Sequence, residues 1–364
     1  MEIFDILSRA VRENASDVFI IAGLPLTFKQ EGRQIRLTEF GVLPPQQTSA
    51  LIMEIYRHAN RAPAPQDRAP TDDDFSFSMA GVGRFRINVF HQRGSLAAVV
   101  RVIRFTLPSA EKLGIPVGVI DTANFKKGVV LITGPAGSGK TTTLACILDT
   151  INHHRSGHII TLEDPVEYIH RHDHCIVSQR EIFTDCPGFL PALRSALRES
   201  PDVILLGEMR DCETIEVAMT AAETGQLLFS SLHTTGAANT VDRIIDVFPA
   251  SQQAQIRLQL STVLQAVVSQ QLVPSVQGTL VPAFEIMYVN MAIRNMIRES
   301  KTFQIDAAIQ AGAAAGMQSM DASLLHLYRQ GVISAETVLT YCINQDLTRK
   351  KMELPGFAAP QIGQ

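Results

Sequence analysis

The sequence predicts an α/β protein with two domains, and three observations support this prediction. From 119 to 352, apolar strand-like runs alternate with helix-like runs, a pattern typical of a parallel sheet with crossover helices. Within it, a glycine-rich loop at 134–141 lies between an apolar run and a helix-compatible run. The first 104 residues instead combine short strands with an amphipathic first helix and a second helix, which indicates a smaller α/β domain.

Composition and the positions of Pro and Gly set the predicted domain boundaries. Residues 1–104 form the N-terminal domain, and 105–118 form an interdomain linker, because Pro and Gly interrupt any regular pattern in TLPSAEKLGIP. Residues 119–354 form the larger domain with its C-terminal helices, and 355–364 form a flexible tail. The Pro-rich and charged stretch ANRAPAPQDRAPTDDD is predicted to be a mobile loop.

Periodicity gives the elements of the N-terminal domain. Ile3, Phe4, Leu7 and Val11 fall at helical spacing and predict an amphipathic first helix. The other predicted elements are strands at 17–22 and 34–37, a helix at 46–58, and further strands in FSFSMAGVGRFRINVF and LAAVVRVIRF.

Composition excludes several classes of protein. The 364 residues are 46% hydrophobic, and the formal net charge of -4 does not favour a dedicated nucleic-acid binder. The opening MEIFDILSRAVREN has acids and no apolar core of a secretory signal, and no run of 18 to 20 apolar residues follows to span a bilayer. The five cysteines lack CxxC spacing and predict reduced core thiols in a cytosolic protein.

The strongest motif is a phosphate loop, GxxxxGK[ST], preceded by the strand-like run at 129–132 and followed by a helical run at 142–151. Glycines let backbone N–H groups surround a β-phosphate, and the helix N-terminus favours the anion. Lys140 is predicted to reach the β- and γ-phosphates of ATP, and the Thr141 hydroxyl to bind Mg²⁺. The predicted nucleotide-binding residues are Gly134, Pro135, Ala136, Gly137, Ser138, Gly139, Lys140, Thr141 and Thr142.

Polar residues end three later strand-like runs, in HIITLEDPVEY, PDVILLGEMRD and QLLFSSLHTT. Because the carboxyl ends of parallel strands meet at one edge of a sheet, these residues can converge on the phosphate loop. Glu208 fits a position that supports Mg²⁺ directly or through water, and Glu163 is a candidate to orient or deprotonate the attacking water. His233 is a candidate to sense the γ-phosphate. A lone acid after a strand is more often a helix cap or a loop residue, and His233 also has a structural alternative.

Four segments together resemble the type II/IV secretion ATPases, and within them the type IV pilus retraction (twitching motility) ATPases. TLEDPVE is similar to the family's Asp box, and GEMRD, with ALRESPDVILL before it, is similar to its Walker B segment. TGQLLFSSLHTT is similar to the His box, and AIRNMIRES to a segment associated with retraction motors. The resemblance extends over nearly the whole chain.

The resemblance implies a PAS-like N-terminal domain joined to a RecA-like ATPase core, assembled as a homo-hexamer. It also implies a cytoplasmic protein, peripheral at the inner face of the cytoplasmic membrane, that works with the inner-membrane platform protein of the pilus machine. Family members complete the nucleotide site with arginines of the N-terminal domain, and the matching positions are Arg86 and Arg101. Their separation suits neighbouring strands of one hairpin. Arg84, Arg93 and Arg104 are competitors, and either matching arginine could be a solvated strand residue.

Two positions depart from the family pattern, and several alternatives stay open. Ser200 stands where the family has the first Asp of Asp-Pro-Asp, and Gln226 where it has the first His of the His box, which puts fine tuning in doubt. The alternative functions are a pilus extension or type II secretion ATPase, a RecA-like nucleic-acid motor, and a non-hydrolysing subunit.

Two further segments have simple structural interpretations. The compressed spacing of HRHDH at 170–174 predicts a solvated loop more than a metal site. AIRNMIRES could be an amphipathic helix with Ile293, Met296 and Ile297 buried and Arg294, Arg298 and Glu299 outward.

Overall fold

The computed structural model describes residues 2–30, 32–63, 72–103 and 107–354. The chain divides into two compact units, one of Met1–Thr106 with Glu167–Ile169 and one of Leu107–Val166 with His170–Gln364. The predicted tail at 355–364, residues 64–71 of the predicted mobile loop, and Arg104 lie outside the described residues. The exact domain boundaries remain predictions.

In its described residues, the N-terminal unit has a six-stranded antiparallel sheet in the order β3-β2-β1-β6-β5-β4. Two helices pack on one face of this sheet, where they bury a continuous apolar core. The elements are α1 (Ile3–Arg12), β1 (Asp17–Ile20), β2 (Thr27–Gln30), β3 (Arg33–Arg36), α2 (Pro45–His58), β4 (Asp73–Met79), β5 (Gly83–Gln92) and β6 (Ser95–Ile103).

The first helix forms as expected, but its buried face is rotated from the predicted one. Ile3, Ile6, Leu7 and Ala10 are buried, whereas Phe4 is 42% exposed. The buried stripe follows the i, i+3, i+4, i+7 spacing that faces the sheet, and Phe4 lies beside it. The strand predicted at 17–22 ends at Ile20, and β2 was not predicted.

The second unit has a seven-stranded sheet in the order β13-β12-β7-β11-β10-β8-β9. The elements are α3 (Val117–Ile120), β7 (Gly128–Thr133), α4 (Lys140–His154), β8 (Gly157–Glu163), β9 (Cys175–Glu181), α5 (Phe189–Ala196), β10 (Val203–Glu208), α6 (Cys212–Glu223), β11 (Leu227–Leu232), α7 (Ala237–Asp246), α8 (Ala250–Val263), β12 (Leu264–Pro274), β13 (Leu280–Tyr288), α9 (Met291–Arg298), α10 (Ile305–Ala311), α11 (Met320–Arg329), α12 (Ala335–Tyr341) and α13 (Gln345–Met352).

The prediction of a parallel sheet is wrong at one edge. The six strands β7 to β12 pair in parallel, but β13 runs antiparallel to β12. The segment between β12 and β13 is a short turn with Gly278 at φ 78°. A parallel return needs a crossover of a dozen or more residues, so this short connection dictates a hairpin.

Both faces of the seven-stranded sheet are covered. On one face, Val130 and Ile132 of β7 pack in a core with Ile147 and Leu148 of α4. On the other face, Leu131 packs in a core to which helices α5 to α10 contribute. Parts of the predicted linker also pack on the α4 face, through Leu107, Ala110, Leu113 and Ile115. Alternating residues of each strand therefore point to α4 or away from it.

Candidate active site

The phosphate loop lies between the end of β7 and the start of α4. Gly134, Gly137 and Gly139 have φ of 143°, 75° and 86°, a region that favours glycine. A Cβ at Gly134 would lie 2.1 Å from the carbonyl oxygen of Gln270 on β12. No side chain fits that distance, so the loop can follow this path against β12 only with glycine at 134.

Lys140 is buried at the first residue of α4. Its Nζ donates to the carbonyl oxygens of Gly134 and Pro135, each at 2.9 Å. Burial lowers the pKa of Lys140, and both of these acceptors are neutral. A buried ammonium held by carbonyl dipoles gains a large electrostatic stabilisation when an anion arrives. The predicted phosphate-binding lysine is thus pointing into its own loop, where a phosphate would replace the carbonyls.

Other loop positions offer hydroxyl and amide groups. Ser138 is 2% exposed, and its Oγ has no hydrogen-bond partner in the part of the chain that the structure describes. Thr141 and Thr142 occupy the first turn of α4 and are half-buried. An unsatisfied buried hydroxyl is costly, so the loop conformation is one in which a ligand oxygen would be stabilising.

His233 follows β11 directly beside the loop. The carbonyl oxygen of Leu232 accepts a hydrogen bond of 3.2 Å from the N–H of Gly134. The strand end that carries His233 is therefore bonded to the first residue of the phosphate loop. His233 is exposed, so its side chain is accessible to a ligand in the loop.

Glu163 ends β8 and is 7% exposed. Gln179 of β9 donates through Nε2 to its Oε1 at 3.4 Å, and Glu181 is its direct neighbour in the β8–β9 register. Ile159, four residues earlier on the same side of β8, packs in the core of the α4 face. Glu163 therefore projects from the carboxyl end of the sheet on the face that carries the phosphate loop.

A β-bulge sets the direction of Glu208. Leu206 pairs with Ser230 of β11, but Glu208 pairs with the very next residue, Ser231, so Gly207 is the extra residue. The Ser231 hydroxyl donates to the carbonyl oxygen of Gly207 at 2.7 Å. Without the bulge, Glu208 would share the face of Leu206; with it, Glu208 shares the face of Ser231, which is the α4 face. The bulge thus brings both predicted carboxylates to one face.

Glu208 is held by an ion pair in the structure. Its Oε2 lies 2.7 Å from the guanidinium of Arg210, and the side chains are 24% and 72% exposed, respectively. Gly207 packs closely on the neighbouring strand, because a Cβ there would lie 3.1 Å from the carbonyl oxygen of Leu162 and 3.4 Å from Cα of Glu163. The ends of β8 and β10 are therefore in contact.

A cavity of about 520 Å³ opens beside the phosphate loop within the second unit. Thr142 and Gln270 line it on the loop side, and aliphatic side chains such as Leu113, Ile115 and Leu272 line the rest. Ligand pockets typically have volumes of about 300 to 1,000 Å³, with mostly apolar walls and a few polar groups. This cavity is large enough for the base and ribose of a nucleotide whose phosphates occupy the loop.

Gln270 is the site residue that was not predicted. Its side chain is 3% exposed, and its Oε1 accepts a 2.7 Å hydrogen bond from Thr143 of α4. Its backbone carbonyl is the group that excludes a side chain at Gly134. The available signal was a pair of glutamines inside the apolar run LQAVVSQQLV, because polar residues are rare in a central strand unless they have buried partners.

Arg86 and Arg101 both lie in the N-terminal unit, and they are direct cross-strand partners on β5 and β6. Arg86 forms two hydrogen bonds with Asp74, at 3.0 and 2.8 Å, and Arg101 donates to Asp17 at 3.2 Å. The expectation of neighbouring strands agrees with this register. Their role toward a nucleotide stays a prediction.

Ser200 and Gln226, the two departures from the family pattern, lie at the amino ends of β10 and β11, opposite the edge that carries the phosphate loop. Gln226 precedes β11, whereas His233 follows it, and the seven steps of extended chain from 226 to 233 span about 23 Å. Ser200 lies at φ 52° just before β10, and Asp202 accepts the N–H of His158 at 2.8 Å. Both departures therefore modify the amino ends of the strands and not the phosphate-loop edge.

HRHDH at 170–174 lies in a loop, and AIRNMIRES lies in a helix. Within the described residues, no three His, Cys, Asp or Glu side chains come together as a metal site. His172 accepts the N–H of Val177 at 3.0 Å, and burial lowers the pKa of His170. AIRNMIRES forms α9 with Ile293 and Ile297 fully buried.

One expectation about this helix is wrong, because Arg294 does not point outward. Its guanidinium donates to the carbonyl oxygens of Ser261 and Thr262 at 2.6 and 2.8 Å, and so caps the C-terminus of α8.

A phosphate loop between a parallel strand and a helix, with carboxylates at neighbouring strand ends, defines a P-loop protein of the α/β class. The chain belongs to the type II/IV secretion system protein family, whose model matches residues 2–329. The predicted family membership and fold class are confirmed. No helix among the described residues combines the length and apolar character needed to cross a membrane.

Three relatives show where in the family the similarity is high. The type IV pilus retraction ATPase PilT of Pseudomonas aeruginosa is 46% identical over 92% of this chain and 96% of its own length. A twitching motility protein of Neisseria gonorrhoeae is 51% identical over 72% of this chain and 71% of its own. A crystal structure of the pilus retraction motor PilT with bound ADP superposes with a TM-score of 0.85 and 42% identity, and the match covers 96% of this chain and 99% of that one.

Proposed function

We propose that this chain is an ATP-hydrolysing motor that retracts type IV pili. The observation that carries the proposal is the convergence of the phosphate loop, Glu163 and Glu208 on one face and one edge of the sheet. Relatives that match this chain along nearly their full length and are named as retraction ATPases support the choice of motor. In this role the chain works as a ring of six in the cytoplasm, at the inner face of the cytoplasmic membrane, against the platform protein of the pilus machine.

Nucleotide binding follows from the loop and the cavity beside it. The phosphates of ATP take the place of the two carbonyl oxygens that now accept from Lys140, and loop N–H groups and the α4 N-terminus add donors. The base and ribose occupy the cavity lined by Thr142 and Gln270. Lys140 thus contributes a charge that water does not screen, because it is buried.

The residues near the loop also fit a magnesium ion. Thr141 and Glu208 offer the hydroxyl and carboxylate oxygens that Mg²⁺ prefers, and few protein ligands are needed when phosphates and water supply the rest. When bound, the ion would neutralise charge on the β- and γ-phosphates. Glu208 would hold the ion directly or through water, and its ion pair with Arg210, whose side chain is 72% exposed, would cost little to give up.

Hydrolysis requires a water aligned with the γ-phosphate. Glu163 is a buried carboxylate at the end of β8, the strand next to the one that carries Glu208. We assign it to orient or deprotonate that water. His233, next to the strand end that binds Gly134, is assigned to sense the γ-phosphate by a hydrogen bond.

Arg86 and Arg101 are proposed to act on the nucleotide and to couple hydrolysis to domain closure. Both guanidinium groups are paired with carboxylates in the structure, Arg86 with Asp74 and Arg101 with Asp17, so in this role each would exchange its carboxylate for the phosphates. An arginine that stabilises transition-state charge accelerates phosphoryl transfer by about 10³ to 10⁵, or about 4 to 7 kcal/mol.

The enzymatic part of the proposal is tested by phosphate release from the purified chain. Lys140→Ala should lose ATP turnover, because the buried cation that anchors the phosphates is gone. Lys127→Ala removes an exposed lysine just before β7 and is the matched control. Wild-type turnover in Lys140→Ala, or no turnover in the wild-type chain, would contradict the assignment.

A further inference from the structure

The turn that carries His233 is tied at both ends. At its start, the Leu232 carbonyl oxygen accepts the N–H of Gly134. At its end, the N–H of Gly236 donates to Ser269 Oγ at 3.0 Å, and the N–H of Ala237 donates to Glu285 Oε1 at 2.7 Å. The turn is therefore fixed to the phosphate loop on one side and to the β12–β13 hairpin on the other.

The bonds to the β12–β13 hairpin are unusual because α7 does not cap its own N-terminus. Gly236 is the N-cap residue of α7 and has no side chain to accept the first N–H groups. Ser269 and Glu285 are direct partners in the β12–β13 register, and both are buried, at 0% and 2% exposure. Two side chains that are distant in sequence thus supply the cap that the local sequence lacks.

The backbone N–H of Met320, the first residue of α11, also acts on the Glu285 carboxylate by lowering its pKa. The carboxylate caps the N-terminus of α7 through Ala237, and a helix N-terminus favours negative charge. Burial raises the pKa of Glu285, and the carboxylates of Asp306 and Asp321 raise it further, while both N–H donors lower it. A buried acid beside other acids is costly unless it is hydrogen-bonded, and the N–H of Ala237 supplies such a bond.

The turn is also bonded internally. Thr240 of α7 donates to the Gly236 carbonyl oxygen at 2.7 Å, and its hydroxyl is 2.7 Å from that of Thr234. His233 is exposed, while its neighbours in the turn are held by these bonds. The arrangement presents His233 from a rigid frame.

We propose that Glu285 is a positioning residue, which holds the His233 turn in the geometry needed for ATP turnover. This inference rests on the proposed function and adds a residue to it. Glu285 acts through the N–H of Ala237 and does not touch the nucleotide, so its loss should affect turnover more than binding.

The test compares Glu285→Ala with Ser319→Ala. Ser319 caps α11 by accepting the N–H of Ala322, so its loss removes one helix cap but leaves the His233 turn intact. Glu285→Ala should lower kcat by about tenfold with KM for ATP changed less than about twofold, because misplacement of a reacting group mainly costs rate. Glu285→Gln keeps one acceptor oxygen for Ala237 and should recover part of kcat. Ser319→Ala should melt earlier without losing kcat.

A second arm separates failure of this inference from failure of the proposed function. If Glu285 acts through His233, then Glu285→Ala should add little to the kcat loss of His233→Ala. Additive losses, unchanged kcat in Glu285→Ala and Glu285→Gln, or equal kcat loss in Ser319→Ala would overturn the inference. The proposed function fails on different evidence, namely turnover that survives in Lys140→Ala.

Discussion

The hydrogen bond between Thr143 and Gln270 joins the phosphate-loop helix to β12, and its removal gives a quantitative prediction. The two residues are 127 positions apart in the chain, and their side-chain oxygens lie 2.7 Å apart with exposures of 0% and 3%. Thr143→Val removes the donor and preserves the shape. Gln270 Oε1 is then left buried without this donor, which costs about 1 to 3 kcal/mol.

Gln270→Met removes the acceptor instead, and its cost is smaller. The Thr143 hydroxyl can then turn to the carbonyl oxygen of Gly139, four residues earlier in the helix, so no buried group is stranded. We expect a loss of about 0.5 to 1.5 kcal/mol. The double variant should be less destabilised than the sum of the single variants.

Thermal unfolding of the purified chain measures this effect. For a domain of this size, 1 kcal/mol corresponds to about 2 to 4 °C in Tm. Thr150→Val is the control, because the Thr150 hydroxyl donates to the carbonyl oxygen of Cys146 in its own helix, at 2.9 Å. Two results together would show that the bond does not anchor the loop to β12. Thr143→Val would have the same Tm as Thr150→Val, and the stability losses of Thr143→Val and Gln270→Met would add up to that of the double variant. We also expect Gln270→Met to raise KM for ATP, because the Gln270 side chain lines the cavity beside the phosphate loop and is bonded to Thr143 of α4.

Three further predictions follow from single contacts. Gly134→Ala should abolish binding of a fluorescent ADP analogue, because its Cβ would lie 2.1 Å from the Gln270 carbonyl oxygen. Gly188→Ala, at an extended φ of 167° and with an ordinary contact at 3.9 Å, should bind normally. The thiol of Cys146 should resist a disulfide reagent at pH 8, because burial, with a smaller effect of Asp149, raises its pKa to about 11; rapid labelling of this cysteine in the native chain would contradict the structure. Ser200→Asp restores the family residue and should leave kcat unchanged, because the position is about 20 Å of strand away from the loop and beyond the Debye length; a changed pH–rate profile would count against this.

Much of the site was predictable because its signals are local. The loop motif, its preceding strand and the polar residues at strand ends occupy short segments whose patterns are set by backbone chemistry. The first helix and the β5–β6 pairing of Arg86 with Arg101 were predictable for the same reason.

The rest depends on contacts between distant segments. The bulge at Gly207 changes which face Glu208 occupies, and it depends on pairing with β11 rather than on the sequence of β10. Gln270 and Glu285 act on the loop and on α7 from a hairpin far along the chain. Ser200 and Gln226 lie at the strand ends opposite the phosphate loop, and this placement depends on where β10 and β11 begin.

The measurement that tests the central claim most directly is pilus retraction in the source cell. A strain lacking this chain should carry surface pili that do not retract, and the wild-type gene should restore retraction. Glu163→Gln should fail to restore it, because a carboxylate that orients the attacking water is replaced by an amide of nearly equal size. A deletion strain without surface pili would contradict the retraction role and indicate a motor for pilus extension.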